Sequence, residues 1–108
     1  MKIAIAALGD NLDSKISPHF GRAPYFLFVD VENNKVKNIE ARRNLLATNH
    51  EHGTIPQLMI NENVDLVICA GIGDRARAHL QQAGIEIRQL PIITVKEALE
   101  KEGIQVKE

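Results

Sequence analysis

Apolar residues recur along this chain in two spacings, and each predicts its own kind of element. Lys2 to Leu8 is a short apolar run with little alternation, which predicts a strand buried on both faces. Tyr25 to Val31 is aromatic and β-branched and predicts a second strand. The polar turn Glu32-Asn33-Asn34-Lys35 follows, with two asparagines that tolerate left-handed backbone. Val36 to Arg43 alternates only weakly and reads as the more exposed half of a hairpin, at a sheet edge. Helical spacing begins with Ile55, Leu58, Met59 and Ile60, with Thr54 as cap and Pro56 in the first turn. Val64 to Cys69 is another buried strand. Ala70-Gly71-Ile72-Gly73 then turns the chain into a helix from about Asp74 to Ala83, with Ala76, Leu80 and Ala83 on one stripe and Gly84 as its end. Ile85 to Leu90 is a short last strand. Thr94 caps a final helix, Val95 to Lys101, that turns Val95, Ala98 and Leu99 inward and stops at Gly103.

The order is therefore βββαβαβα. An early hairpin must be antiparallel, and strands joined through helices must be parallel. The economical arrangement is an α/β domain over residues 1–108: a mixed five-stranded sheet with helices on its faces, the three-layer ribonuclease H-like topology. The first strand would lie centrally, beside both the hairpin and the fourth strand. Two polar loops, Gly9 to Pro24 and Asn44 to His52, are long for such a domain, and long loops often carry function.

Composition narrows the role. Of 108 residues, 44% are hydrophobic and 25% charged, an ordinary globular balance. The formal charge is −1, with 13 basic against 14 acidic residues, so there is no basic excess to meet nucleic acid. No apolar run approaches the roughly 20 residues that span a bilayer. The opening residues read as a strand rather than a leader, and a cytoplasmic protein is expected. The single cysteine, Cys69, excludes an internal disulfide and any closed site of about four thiolates within one chain.

In open α/β sheets, ligands favour the crevice beyond the carboxyl ends of the parallel strands. Two segments leave that edge: the first loop, with Ser17-Pro18-His19-Phe20-Gly21-Arg22-Ala23, and the turn Cys69-Ala70-Gly71-Ile72-Gly73-Asp74-Arg75. Phe20 can anchor its loop in the core and leave His19 and Arg22 outside. His19 is then either a metal ligand or a loop-packing histidine. Gly71 and Gly73 allow close backbone approach at a helix start, where free N–H groups attract anions, and Arg75 adds charge. A plain strand-to-helix turn is the competing reading, because neither a P-loop nor a full dinucleotide fingerprint is present. His50 and His52 form an H-x-H pair that can grip one metal in an extended segment or stay solvated in a loop. Cys69 is either a small hydrophobe or a further ligand, and His79 reads as a boundary residue of its helix. Ser17 lacks a base and orienter, and the first strand carries Ala4, Ile5 and Ala6 where a two-metal nuclease needs acid. No catalytic residue is expected.

Ser17-Pro18-His19-Phe20-Gly21-Arg22-Ala23-Pro24-Tyr25-Phe26, with Val64-Asp65-Leu66-Val67-Ile68 and Gly71-Ile72-Gly73-Asp74-Arg75-Ala76, resembles the dinitrogenase iron–molybdenum cofactor biosynthesis family. NifX, NifY and the C-terminal domain of NifB belong to that family. The resemblance runs on through Ala83-Gly84-Ile85 and Thr94 to Leu99. It implies a ribonuclease H-like domain whose relatives bind and carry iron–sulfur cofactor precursors during nitrogenase maturation. The family's histidine maps onto His19 as the leading cluster ligand, and Arg22, Gly71, Gly73 and Arg75 map onto positions that shape an anionic pocket.

The expectation is thus a non-catalytic carrier of an iron–sulfur or iron–molybdenum type cluster, working between a donor and an acceptor protein. One histidine, with Cys69, His50 or His52 as helpers, suits a cargo that must later be released. The alternative is an anion- or small-molecule-binding regulatory domain of the same fold without metal. Pairing through the hairpin edge is a third reading, and the chain is expected as a monomer or weak homodimer.

Overall fold

A computed structural model describes residues 1–45 and 54–106. The elements are β1 (Lys2–Ala7), β2 (Tyr25–Glu32), β3 (Lys35–Arg43), α1 (Thr54–Asn61), β4 (Leu66–Cys69), α2 (Asp74–Gln82), β5 (Glu86–Gln89) and α3 (Val95–Lys101). The strands form one five-stranded sheet in the order β3-β2-β1-β4-β5. β2 runs antiparallel to both β1 and β3, whereas β4 is parallel to β1 and to β5. The mixed α/β sheet expected from the element order is present, with β1 in its middle.

The near-continuous apolar run of β1 sorts its side chains by size. Ile3 and Ile5 join the core against α3, with Leu27, Val29, Leu66, Ile68, Val95, Ala98 and Leu99. Ala4 and Ala6 point the other way, towards α1 and α2. Their partners across the antiparallel ladder are Phe28 and Phe26, so small residues on one strand leave room for rings on the next. Both faces of β1 are thereby closed off from water, which is why its sequence does not alternate.

Local chemistry sets the boundaries. Asn33 and Asn34 adopt φ of 54° and 61° between the paired residues Glu32 and Lys35, the two-residue turn whose twist suits a hairpin. β3 is an edge strand, and its beginning is covered by the chain's later part. The Val36 N–H donates to the Gln105 carbonyl at 3.1 Å, and the Gln105 N–H donates to the Asn34 carbonyl at 2.8 Å. α2 closes one residue sooner than its stripe suggests. Gly84 takes φ of 80°, and the Ile85 N–H turns back to the Leu80 carbonyl at 3.0 Å. Ala83 is therefore an exposed cap residue, while Leu80 is fully buried.

α3 starts with a capping box. The Thr94 hydroxyl accepts from the Glu97 N–H at 3.1 Å, and the Glu97 carboxylate accepts from the Thr94 N–H at 3.0 Å. The next N–H groups are taken by the first loop: Val95 donates to the Ser14 carbonyl at 2.8 Å and Lys96 to the Leu12 carbonyl at 3.0 Å. Among the described residues, no helix is long and apolar enough to cross a membrane.

Candidate binding site at the carboxyl edge of the sheet

β1, β4 and β5 are parallel, so Ala7, Cys69 and Gln89 all end at one edge. The long first loop crosses that edge. It leaves β1, returns to pair Ile16 with Ala7, and donates the Ser17 N–H to the Ala6 carbonyl at 2.9 Å. Ile16 is buried on the α3 face, whereas Phe20 is buried on the opposite face, edge-to-face with Phe26 at 5.5 Å. The chain must therefore pass over the strand ends between these two residues. Pro18 and His19 are exposed at the crossing, and Arg22 is exposed just beyond it.

Ser17 shapes the crossing. Its side chain is 2% exposed, and its hydroxyl donates to the His19 carbonyl at 3.1 Å while accepting the His19 N–H at 3.3 Å. Such a local loop of hydrogen bonds holds the His19 backbone without using the imidazole. A second tie joins this loop to the turn after β4: the Phe20 N–H donates to the Gly71 carbonyl at 2.8 Å. A Cβ built on Gly71 would run into the carbonyl oxygen of Pro18. Gly71 is thus a glycine because another backbone lies against it. Gly73 differs, since a Cβ there would meet nothing.

Gly73 is the N-cap residue of α2, and no side chain caps that helix. Its first N–H groups stay available to a ligand, although Asp74 in the first turn meets part of the favourable dipole. Arg75 is exposed beside them. The arginines divide by partner. Arg42 pairs with Glu40 at 2.9 Å and Glu62 at 3.3 Å, and Arg88 pairs with Glu102 at 2.9 Å and Glu86 at 3.3 Å. Among the described residues, Arg22, Arg43, Arg75 and Arg77 have no carboxylate partner. All four lie at the carboxyl edge or on segments that leave it, Arg43 by ending β3 opposite Tyr25, which pairs in turn with Ala7, in a protein whose formal charge is −1.

Cys69 ends β4 with no exposed surface, inside the core beneath α1 and α2. Burial pushes its thiol up to about 11, with the Arg77 charge pulling weakly the other way. The neutral thiol packs as a small hydrophobe. His50 and His52 lie outside the described residues. The described chain before them ends at the same edge, where the Asn44 N–H and side-chain amide donate to the carbonyls of Pro24 and Ala23, each at 2.8 Å. Among the described residues, no group of three or more His, Cys, Asp or Glu is placed to hold a metal ion.

The sequence reading passed over two side chains. Arg77 donates to the Gln89 side chain, and Gln89 donates in turn to the Ala70 carbonyl at 3.3 Å. The signal was weak: Arg77 falls two residues after Arg75, and nothing in the spacing shows which way it turns.

The model of the family described as dinitrogenase iron–molybdenum cofactor matches residues 1–102. An uncharacterized protein of Methanocaldococcus jannaschii is 35% identical over 102 residues, which are 92% of this chain and 82% of that one. Among solved structures, the apo form of the orange protein from Desulfovibrio gigas is similar at a TM-score of 0.82 and 28% identity, over 94% of this chain and 85% of its own. A candidate NifB protein from Thermotoga is similar at a TM-score of 0.80 and 30% identity, over 94% and 86%.

Proposed function

Because the chain belongs to the dinitrogenase iron–molybdenum cofactor family, we propose that it is a non-catalytic carrier of an iron–sulfur or iron–molybdenum type cluster, taken from a donor protein and passed to an acceptor. The carrying observation is the junction of Phe20 with Gly71, around which His19, Arg22 and Arg75 are exposed and the α2 N-terminus is uncapped. In this reading His19 is the leading ligand to the metal. Arg22 and Arg75 meet the negative charge of the cluster, and Gly71 and Gly73 let it approach the backbone. Cys69 stays in the core unless the turn above it opens, and His50 and His52 remain candidate ligands. A site with one committed ligand releases cargo more readily than a closed set of thiolates, as transfer requires. The same reading makes residues 1–108 one ribonuclease H-like binding domain, cytoplasmic, monomeric or weakly dimeric, and without a nucleic-acid or membrane role.

The test is anaerobic reconstitution with ferrous iron and sulfide, with and without molybdate, followed by desalting and metal analysis. Wild type is expected to retain iron and His19→Ala to lose most of it. Equal retention would remove His19 from the site, and no retention by either would remove the cluster. The uncapped α2 N-terminus also favours a second reading, an anion-binding regulatory domain without metal. An iron-free chain whose melting temperature rises with inorganic phosphate would support that one.

A further inference from the structure

Arg77 differs from every ion-paired arginine of the chain. Its partner is the neutral side chain of Gln89, and Gln89 is itself fixed by donating to the Ala70 carbonyl at 3.3 Å. The amide therefore presents its oxygen to Arg77 and its NH2 group to the turn. A carboxylate in that place would hold the guanidinium and neutralise it, whereas an amide holds it and leaves the full charge. Guanidinium has five N–H donors. The contact to Gln89 uses one nitrogen, and no other partner is present among the described residues. Position agrees with this: Gln89 ends β5, Ala70 follows the end of β4, and Arg77 stands in the fourth position of α2, just inside the uncapped terminus.

We infer that Arg77, held by Gln89 against the Ala70–Gly73 turn, is a pre-oriented cation that contacts the anionic cargo and sets its affinity. The inference rests on the carrier reading and adds a residue to it. Arg22 and Arg75 are exposed and must lose side-chain freedom when they bind. Arg77 has already lost it in the empty protein, so its contact costs less ordering on binding. Gln89 acts through Arg77 and is a positioning residue.

The experiment loads wild type and variants anaerobically with ferrous iron and sulfide and measures the affinity for the assembled cluster. The melting temperature of each empty chain is recorded in parallel. Arg77→Gln is expected to weaken binding about tenfold, the loss of one charge-assisted contact. Arg77→Lys keeps the charge and should bind more tightly than Arg77→Gln. Gln89→Leu leaves the net charge unchanged and should fall between wild type and Arg77→Gln. Arg88→Gln makes the same charge change at a paired arginine and should bind like wild type. A merely structural latch would lower the melting temperatures and leave the affinity of the folded chains alone, which overturns the inference. Equal losses in Arg77→Gln and Arg88→Gln would overturn it too, by reducing the effect to net charge. A wild type that binds no cluster would overturn this inference together with the carrier reading, whereas binding that ignores Arg77 would leave the carrier reading standing.

Discussion

The backbone N–H of Phe20 and the carbonyl of Gly71 meet at 2.8 Å, across 51 positions of sequence. This one bond places the crossing loop on the turn after β4, so that His19 and the start of α2 open on the same edge. Gly71→Ala would drive a methyl group into the Pro18 carbonyl. The expected cost is about 1–3 kcal/mol in denaturant unfolding, with weaker cargo binding. Gly73→Ala, at φ of −74° with open space around it, should cost less than about 1 kcal/mol.

Ser17→Ala and His19→Ala should separate support from contact. The Ser17 hydroxyl is buried and doubly bonded to the His19 backbone, so its loss should cost about 1 kcal/mol of stability and only part of the cargo affinity. His19 is exposed, and His19→Ala should change stability by less than about 0.5 kcal/mol while removing most retained iron. The reverse pattern, with Ser17→Ala the more damaging to iron retention, would deny His19 its role.

Cys69 offers a check on which groups hold metal. Its thiol titrates at about 11, so at pH 8 it is protonated and covered. Alkylation of the native chain should be slow and should accelerate greatly in denaturant. Its raised pKa also fixes a sign. The stability it supplies is present below the ordinary value of 9.0 and is lost as pH rises through about 11. Cys69→Ala should retain iron as wild type does, and loss of iron in that variant would bring the thiol back as a ligand.

Acid should act through Glu62, as well as through Glu97, whose carboxyl the Thr94 hydrogen bonds hold down. The Arg42 hydrogen bond, then that of Lys2, holds the Glu62 carboxyl below the ordinary 4.5. A lowered folded pKa means that this stability is present above 4.5 and is lost as pH falls through the lower, folded value. Glu62→Gln should cost no more than about 1 kcal/mol at pH 7, since the pair is partly exposed. It should also flatten the decline in melting temperature below pH 4.5.

Much of this fold was legible because its local signals agree with one another. The continuous apolar run of β1, the Asn33-Asn34 turn and the Thr94 cap each act over a few residues, and each predicts what the structure contains. The anchoring of Phe20 beside an exposed His19 was legible for the same reason: a lone large ring in a polar loop has to be buried somewhere. The Arg77–Gln89 contact was not legible, because it depends on the rotation of α2 relative to the end of β5. Nor was the covering of β3 by Gln105, since Gly103 marks where α3 stops and says nothing of where the chain goes next. Ala83 was misplaced by one residue of helix length, which sufficed to turn it from the core to water.

The first loop gives its Leu12 and Ser14 carbonyls to the opening N–H groups of α3. Its front half therefore cannot lift without stripping two amide protons of their acceptors, whereas the stretch around His19 hangs between separate anchors at Ser17 and Phe20. Deuterium uptake at Val95 and Lys96 should stay slow whether or not cargo is bound, and within this loop any response to loading should be confined to the few amides between those anchors. The span of this loop that loading can move is four residues wide, from Ser17 to Phe20.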